Sequence, residues 1–252
     1  MKTTQRIALI TGGNRGLGYQ TALELAPKNT LVIIGARDAE KGAVAAEDLR
    51  AKGYAADSVV VDVADPSTHE AAFDWIKNRY GRLDILINNA GVWKESATSS
   101  SFGSQDPTPS TLSMEVLRET FETNFFGTVA LTQRLLPLIR KSRAGRIVNV
   151  SSIMGSLTLH SDPSSPIYGY NVFGYDTSKA ALNSFTIHLA HELRGTSIKV
   201  NSAHPGWVKT DMGGGGADLE VSEGGKTSAQ LALLPSDGPT GGFFHLGQSL
   251  PW

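Results

Sequence analysis

Six short apolar runs punctuate the chain: Ile7–Ile10, Leu31–Ile34, Ser58–Val63, Leu83–Ile87, Arg146–Val150 and Ile198–Val200. Each is rich in Ile and Val and largely continuous rather than alternating. That is the pattern of parallel strands covered on both faces. Between them lie helix-length amphipathic segments at 17–26, 39–52, 67–80, 113–140 and 176–194. Strand–helix alternation of this kind predicts βαβ crossovers and an α/β fold with a doubly wound parallel sheet.

Two stretches break the rhythm. Residues 94–111 are rich in Ser, Thr, Pro and Gly and read as a loop inserted before a helix, and residues 155–174 have a similar character. The run Gly213-Gly214-Gly215-Gly216 is the most flexible point of the sequence. No linker or internal repeat divides the chain, so residues 1–252 are expected to form a single domain. A substrate lid is expected within 207–232, mobile over 213–228 with the glycine run as its hinge.

Composition changes this picture little. Of the 252 residues 40% are hydrophobic and 19% charged, enough apolar side chain for one core. The formal net charge of -1, without blocks of like charge, gives no electrostatic reason to expect a nucleic-acid or anionic-membrane partner. The absence of cysteine excludes disulfides and thiolate metal sites. The start, Met1 to Ile10, offers too short an apolar stretch for a signal peptide, and no window approaches a membrane span. A cytoplasmic location is the expectation.

Candidate chemistry begins directly after the first strand, at Thr11-Gly12-Gly13-Asn14-Arg15-Gly16-Leu17-Gly18. A phosphate at a helix N-terminus needs free backbone N–H groups with no Cβ in the way. Glycines 12, 16 and 18 suit the turn, the close approach and the tight helix packing. The spacing is Gly-x-x-x-Gly-x-Gly, and its place between strand and helix predicts a Rossmann-type nucleotide binder. The second strand ends Gly35-Ala36-Arg37-Asp38. Asp38 reads as the N-cap of the next helix. That leaves Arg37, with Arg15 in support, to meet a 2′-phosphate, so NADPH/NADP is favoured over NADH.

Further along come Asn88-Asn89-Ala90-Gly91, Asn124 within Thr123-Asn124-Phe125-Phe126-Gly127, and Ser151-Ser152. Tyr175-Asp176-Thr177-Ser178-Lys179 and His204-Pro205-Gly206-Trp207-Val208-Lys209-Thr210 follow. Together with the glycine loop these motifs resemble the short-chain dehydrogenase/reductase family, in order and over residues 5–212. Within it, Thr11–Gly18, Ala36-Arg37-Asp38, Val148–Met154 and Pro205–Met212 resemble the carbonyl reductase type. The resemblance implies reduction of an aldehyde or ketone with NADPH.

Reducing a carbonyl requires a hydride for carbon and a proton for oxygen. Tyr175 is the expected acid, and Lys179, one helical turn on, should lower its pKa. Ser152 can hydrogen-bond the carbonyl oxygen. The family implies that Lys179 holds the nicotinamide ribose and that Asn124 fixes a proton-relaying water. It also implies that Asp62, ending the third strand, contacts adenine, with Val63 beside it. Gly12, Asn14, Arg15, Gly16, Leu17, Gly18, Asn88, Asn89, Ala90 and Gly91 would line the cofactor. So would Pro205, Gly206, Val208 and Thr210, the last through the carboxamide. Lys209 and Asp211 read as solvated charges. His188 and His191 share a helix face without a third ligand, so no metal is expected.

Ser152 and Tyr175 are 23 positions apart, a longer gap than in most of the family, and only Tyr175 among the nearby tyrosines has a lysine four residues on. The inserted residues should form one pocket wall, with Trp93, Met154 and Trp207 supplying apolar surface. Monomer and homo-oligomer are both left open. Two competing readings are an enone C=C reductase on the same scaffold and a non-catalytic NADPH sensor. Proton delivery to oxygen by Ser152 and Tyr175 disfavours the first, and retention of Tyr175 and Lys179 disfavours the second.

Overall fold

The computed structural model describes residues 5–95 and 107–252. Part of the loop expected at 94–111, and the first four residues of the chain, lie outside these. The strands are β1 Arg6–Thr11, β2 Thr30–Ala36, β3 Ala56–Val60, β4 Ile85–Asn88, β5 Arg146–Val150, β6 Lys199–Ala203, β7 Phe243–His245 and β8 Gln248–Ser249. They form one sheet in the order β3-β2-β1-β4-β5-β6-β7-β8. Every neighbouring pair is parallel except β7–β8, which is antiparallel. The protein is a single α/β domain with a mostly parallel, Rossmann-like sheet.

Helices α1 Gly16–Leu25, α2 Ala39–Ala51 and α9 Lys226–Ala232 cover one face, and α3 Pro66–Tyr80, α5 Gly127–Ile139 and α7 Phe173–Glu192 cover the other. The two-residue period of a strand divides the side chains between two cores. Ile7, Leu9, Ile33, Leu86, Ile147 and Val200 enter one, while Ala8, Ile10, Ile34, Ile87, Val148 and Ala203 enter the other. Caps fix the helix starts, and the one at Asp38 falls where the sequence places it. Asp38 accepts from the Lys41 N–H, and Asp65 caps α3 ahead of Pro66. Among the described residues no helix is long and apolar enough to cross a membrane.

The structure departs from the sequence expectation in several places. The helix expected over 113–140 is two, α4 Met114–Phe121 and α5, joined by a π turn at Glu122–Phe126. The turn seats the buried Asn124 and lets Gly127 press on the chain after β3, where a Cβ would stand 1.9 Å from the Val63 carbonyl oxygen. The expected loop at 155–174 contains a short helix, α6 Leu157–Ser161, capped by Ser156. Helix α7 starts at Phe173, which places Tyr175 in its first turn. β3 ends at Val60, so Asp62 lies in the following turn. The last two strands escape notice in the sequence because they are only three and two residues long.

A polar thread crosses the buried sheet. Asn88 donates to Thr132 Oγ1 at 2.9 Å and to Asn149 Oδ1 at 2.8 Å. Asn149 donates to Thr186 Oγ1 at 2.8 Å, and Thr186 shares a 2.9 Å bond with Ser202 Oγ. Asn88, Asn149 and Ser202 are register partners on β4, β5 and β6. Asn88 therefore belongs to the sheet interior. This corrects its expected place along the cofactor.

Candidate active site

In an open parallel sheet, ligands bind beyond the carboxyl ends of the strands where the strand order reverses. Here that point lies between β1 and β4. Thr11 Oγ1 accepts from the N–H groups of Asn89 and Ala90 at 3.0 Å, and Asn89 Nδ2 donates back to the Thr11 carbonyl at 2.8 Å. These bonds close the seam beneath the glycine loop. Gly12 and Gly16 supply the turn, with φ of 61° and 54°. Gly18 supplies the close packing, since a Cβ there would stand 2.4 Å from the Gly12 carbonyl oxygen.

The start of α1 is an open cradle. Its N-cap, Arg15, is extended and makes no side-chain cap bond, so the first-turn N–H groups are left to an outside acceptor. A Cβ on Gly16 would meet only the Thr210 methyl, at 3.9 Å. A phosphate-bearing nucleotide fits these features, with Asn14, Gly16, Leu17 and Gly18 around the cradle and Thr210 across from it. Arg15 forms an ion pair with Asp211, which the sequence reading left as a solvated charge. Arg37 is exposed at the end of β2. Asp62 holds the Ala64 N–H at 3.0 Å, and Val63 is buried, its carbonyl facing His69.

The second half of the site is built on α7. Lys179 is buried on this helix and donates to the Val150 carbonyl at 2.8 Å. Its Nζ lies 5.6 Å from the centre of the Tyr175 ring. Burial pulls the Lys179 pKa down to about 8. Burial also pushes Tyr175 up to about 12, against a lowering by its bond with Ser152. This corrects the expectation that Lys179 depresses the tyrosine pKa. Desolvation of the phenol is the largest cause, and the Asp176 charge adds to it. Asn124 holds the Val92 backbone from both sides, at 2.8 and 2.9 Å, and donates to Ser178 Oγ at 3.0 Å. A Cβ on Gly91 would lie 3.4 Å from Asn124 Oδ1 and 3.5 Å from Lys179 Nζ, so the three groups meet at one point.

The sequence reading passed over what fixes Tyr175. Glu95, buried and 80 positions away in sequence, accepts from the N–H groups of Gly174 at 2.7 Å and Tyr175 at 2.8 Å. A carboxylate there meets the positive end of α7 and two of its unpaired donors together. No local signal betrays this contact, because donor and acceptor are joined only by the fold. Asp176, next to Tyr175, has its pKa pushed up to about 8 by burial, with the Glu95 charge adding to it.

Between the two halves lies a cavity of about 370 Å³. Ser152 and Tyr175 lie on its wall, as do Trp93, Met154, Trp207 and Thr210. The inserted segment contributes Ile167 and Tyr170. Above it runs the chain from Trp207 to Leu219, tied by a bridge between Val208 and Leu219. The rest of the expected lid is anchored: α8 Val221–Gly224 and α9 pack on α1 through Gly224 and Gly225. Among the described residues no group of three or more His, Cys, Asp or Glu is placed to hold a metal ion.

The family model for "short chain dehydrogenase" matches residues 6–218. The chain belongs to the short-chain dehydrogenase/reductase family. As such it is an oxidoreductase of a family that uses NAD(P). Human carbonyl reductase [NADPH] 1 is 34% identical, with 96% of this chain and 97% of the relative covered. The (+)-neomenthol dehydrogenase of Capsicum annuum is 31% identical, with 96% of each covered. Among solved structures, NADPH-bound carbonyl reductase from chicken fatty liver superposes with a TM-score of 0.83 at 28% identity. It covers 99% of this chain and all of its own.

Two consequences of the α7 geometry can be measured. Glu95→Ala strands two helix-end donors in a buried setting, a loss of about 1–3 kcal/mol by denaturant unfolding. It should lower kcat more than it raises the KM for the cofactor, and Glu95→Gln, which still offers an acceptor, should recover part of both. Asp176 keeps its proton in the folded chain up to about pH 8, whereas the unfolded chain releases it in the ordinary carboxylate range. Stability contributed by this group therefore falls as pH rises through that window. Asp176→Asn should gain in melting temperature on wild type between pH 5 and pH 8; a constant difference would contradict the assignment.

Proposed function

We propose that this chain is an NADPH-dependent carbonyl reductase, converting an aldehyde or ketone to the alcohol. The observation that carries the reading is the pairing of Ser152 and Tyr175 on one wall of a mostly apolar cavity, with Lys179 buried behind them. The relatives named carbonyl reductase [NADPH] support the same class.

The reduced nicotinamide, when bound, supplies the hydride for the carbonyl carbon. Ser152 Oγ and Tyr175 Oη are the groups that receive the carbonyl oxygen and stabilise charge gathering on it. Tyr175 is the proton donor: its high pKa keeps it protonated at neutral pH, ready to give the proton to an alkoxide. Lys179, with a pKa near neutrality, returns a proton to the tyrosine and holds the ribose hydroxyls. Asn124 positions this end of the site through Val92 and Ser178. Arg37 and Arg15 receive the 2′-phosphate, Arg15 leaving Asp211 to do so. Asp62 and Val63 take the adenine end, and Asn89, Ala90 and Gly91 the middle of the cofactor. Pro205, Gly206, Val208 and Thr210 take the nicotinamide end, and residues 207–219 act as the lid.

Tyr175→Phe should lower ketone reduction by about 10²–10⁴-fold. NADPH binding, read by fluorescence, should be nearly unchanged; substantial residual turnover would sink the mechanism. Arg37→Asp should shift the ratio of NADPH to NADH affinity toward NADH, and an unchanged ratio would refute the phosphate assignment.

A further inference from the structure

His204 follows β6, and its imidazole forms part of the cavity wall beside Ser152. Nδ1 accepts from the Ile153 N–H at 3.2 Å. A backbone amide only donates, so Nδ1 carries the lone pair and the ring proton sits on Nε2. Burial, and after it the neighbouring His245, pull the pKa of His204 down to about 3, so the ring stays neutral wherever the enzyme works. His245 lies against it, the rings tilted by 44° with centres 5.0 Å apart, and bonds the His204 carbonyl through Nδ1 at 2.9 Å. Among the described residues Nε2–H has no hydrogen-bond partner, yet it is not one of the sealed, unsatisfied atoms of the interior. A fixed donor thus meets the cavity, and nothing in the reduction described above uses it.

We propose that His204 is a specificity-determining residue whose Nε2–H receives a second oxygen of the substrate, close to the carbonyl that Ser152 and Tyr175 hold. Ile153, which anchors the ring, directly follows Ser152, so this oxygen lies within a few bonds of the reacting carbon. The fitting class is a ketone with a neighbouring ester, ketone or hydroxyl oxygen. Trp93, Met154, Ile167, Val172 and Trp207 make most of the remaining wall apolar. An acceptor placed against them would lose its water without replacement. Among the described lining residues Asp218 is the one charged side chain, and as an acid it favours a neutral oxygen over a carboxylate.

The inference rests on the carbonyl-reductase reading, and a matched pair of substrates separates the two. Ethyl acetoacetate and 2-heptanone have chains of equal length, and only the first carries the second oxygen. The comparison is the ratio of their kcat/KM values in wild type, His204→Gln, which keeps a donor, and His204→Met, which has none. The intrinsic reactivity of the two ketones cancels when the ratio is compared between variants. His204→Met should lower the ratio about fivefold to tenfold, the loss of one hydrogen bond, mainly through KM for the keto ester. His204→Gln should keep more of the ratio than His204→Met. Equal losses for both substrates, or an unchanged ratio, would overturn the proposal and leave the ring as a prop for Ile153. If wild type binds NADPH but reduces neither ketone, the carbonyl-reductase reading itself fails.

Discussion

The short seam between β1 and β4 governs the geometry of the site. Thr11 and Asn89 exchange backbone and side-chain bonds across it, and the glycine loop leaves from one side while Ala90 and Gly91 leave from the other. Because the strands are parallel, all loops at this end open in the same direction, and the reversal of strand order parts them into a crevice. The glycine cradle, the Gly91 junction with Asn124 and Lys179, and the pocket wall after β5 and β6 take their positions from that crevice. Loosening the seam would disturb both halves of the site at once.

Burial then sets the chemistry. The same loss of water moves four groups in different directions: Tyr175 and Asp176 upward, Lys179 and His204 downward. Each is thereby held nearer its neutral form. A neutral phenol is a proton donor, a lysine near neutrality is able to pass protons in both directions, and a neutral imidazole is a hydrogen-bond donor of fixed tautomer. Glu95 is the counterweight, an acid set against the start of α7 so that the tyrosine backbone cannot wander.

Much of this was legible in the sequence because it is local. Apolar runs gave the six longer strands, Asp38 stands where a cap belongs, and Ser152 and Tyr175, marked by their motifs, lie on one cavity wall. What was not legible depends on contacts between distant residues. Glu95 meets α7 only after the chain has crossed the sheet. The motif marks Asn124, but nothing in it shows the π turn that braces the side chain on Val92. The expected lowering of the Tyr175 pKa left out the burial of the phenol, which drives the net shift upward. His204 stood in plain view beside Pro205-Gly206, but its tautomer is a product of the fold.

The thread of Asn88, Asn149, Thr186 and Ser202 bears on how such a sheet comes to be assembled. Parallel strands are distant in sequence and pair late, and a row of Ile and Val offers little to distinguish one alignment from the next. A slip of one position on β5 would turn Asn149 to the opposite face, into hydrocarbon, and strand the partners it leaves behind. Each abandoned polar group would cost about 1–3 kcal/mol. The amides therefore act as an alignment check: misregistered sheets are penalised at several points together, and the strand ends that carry the site arrive level with one another.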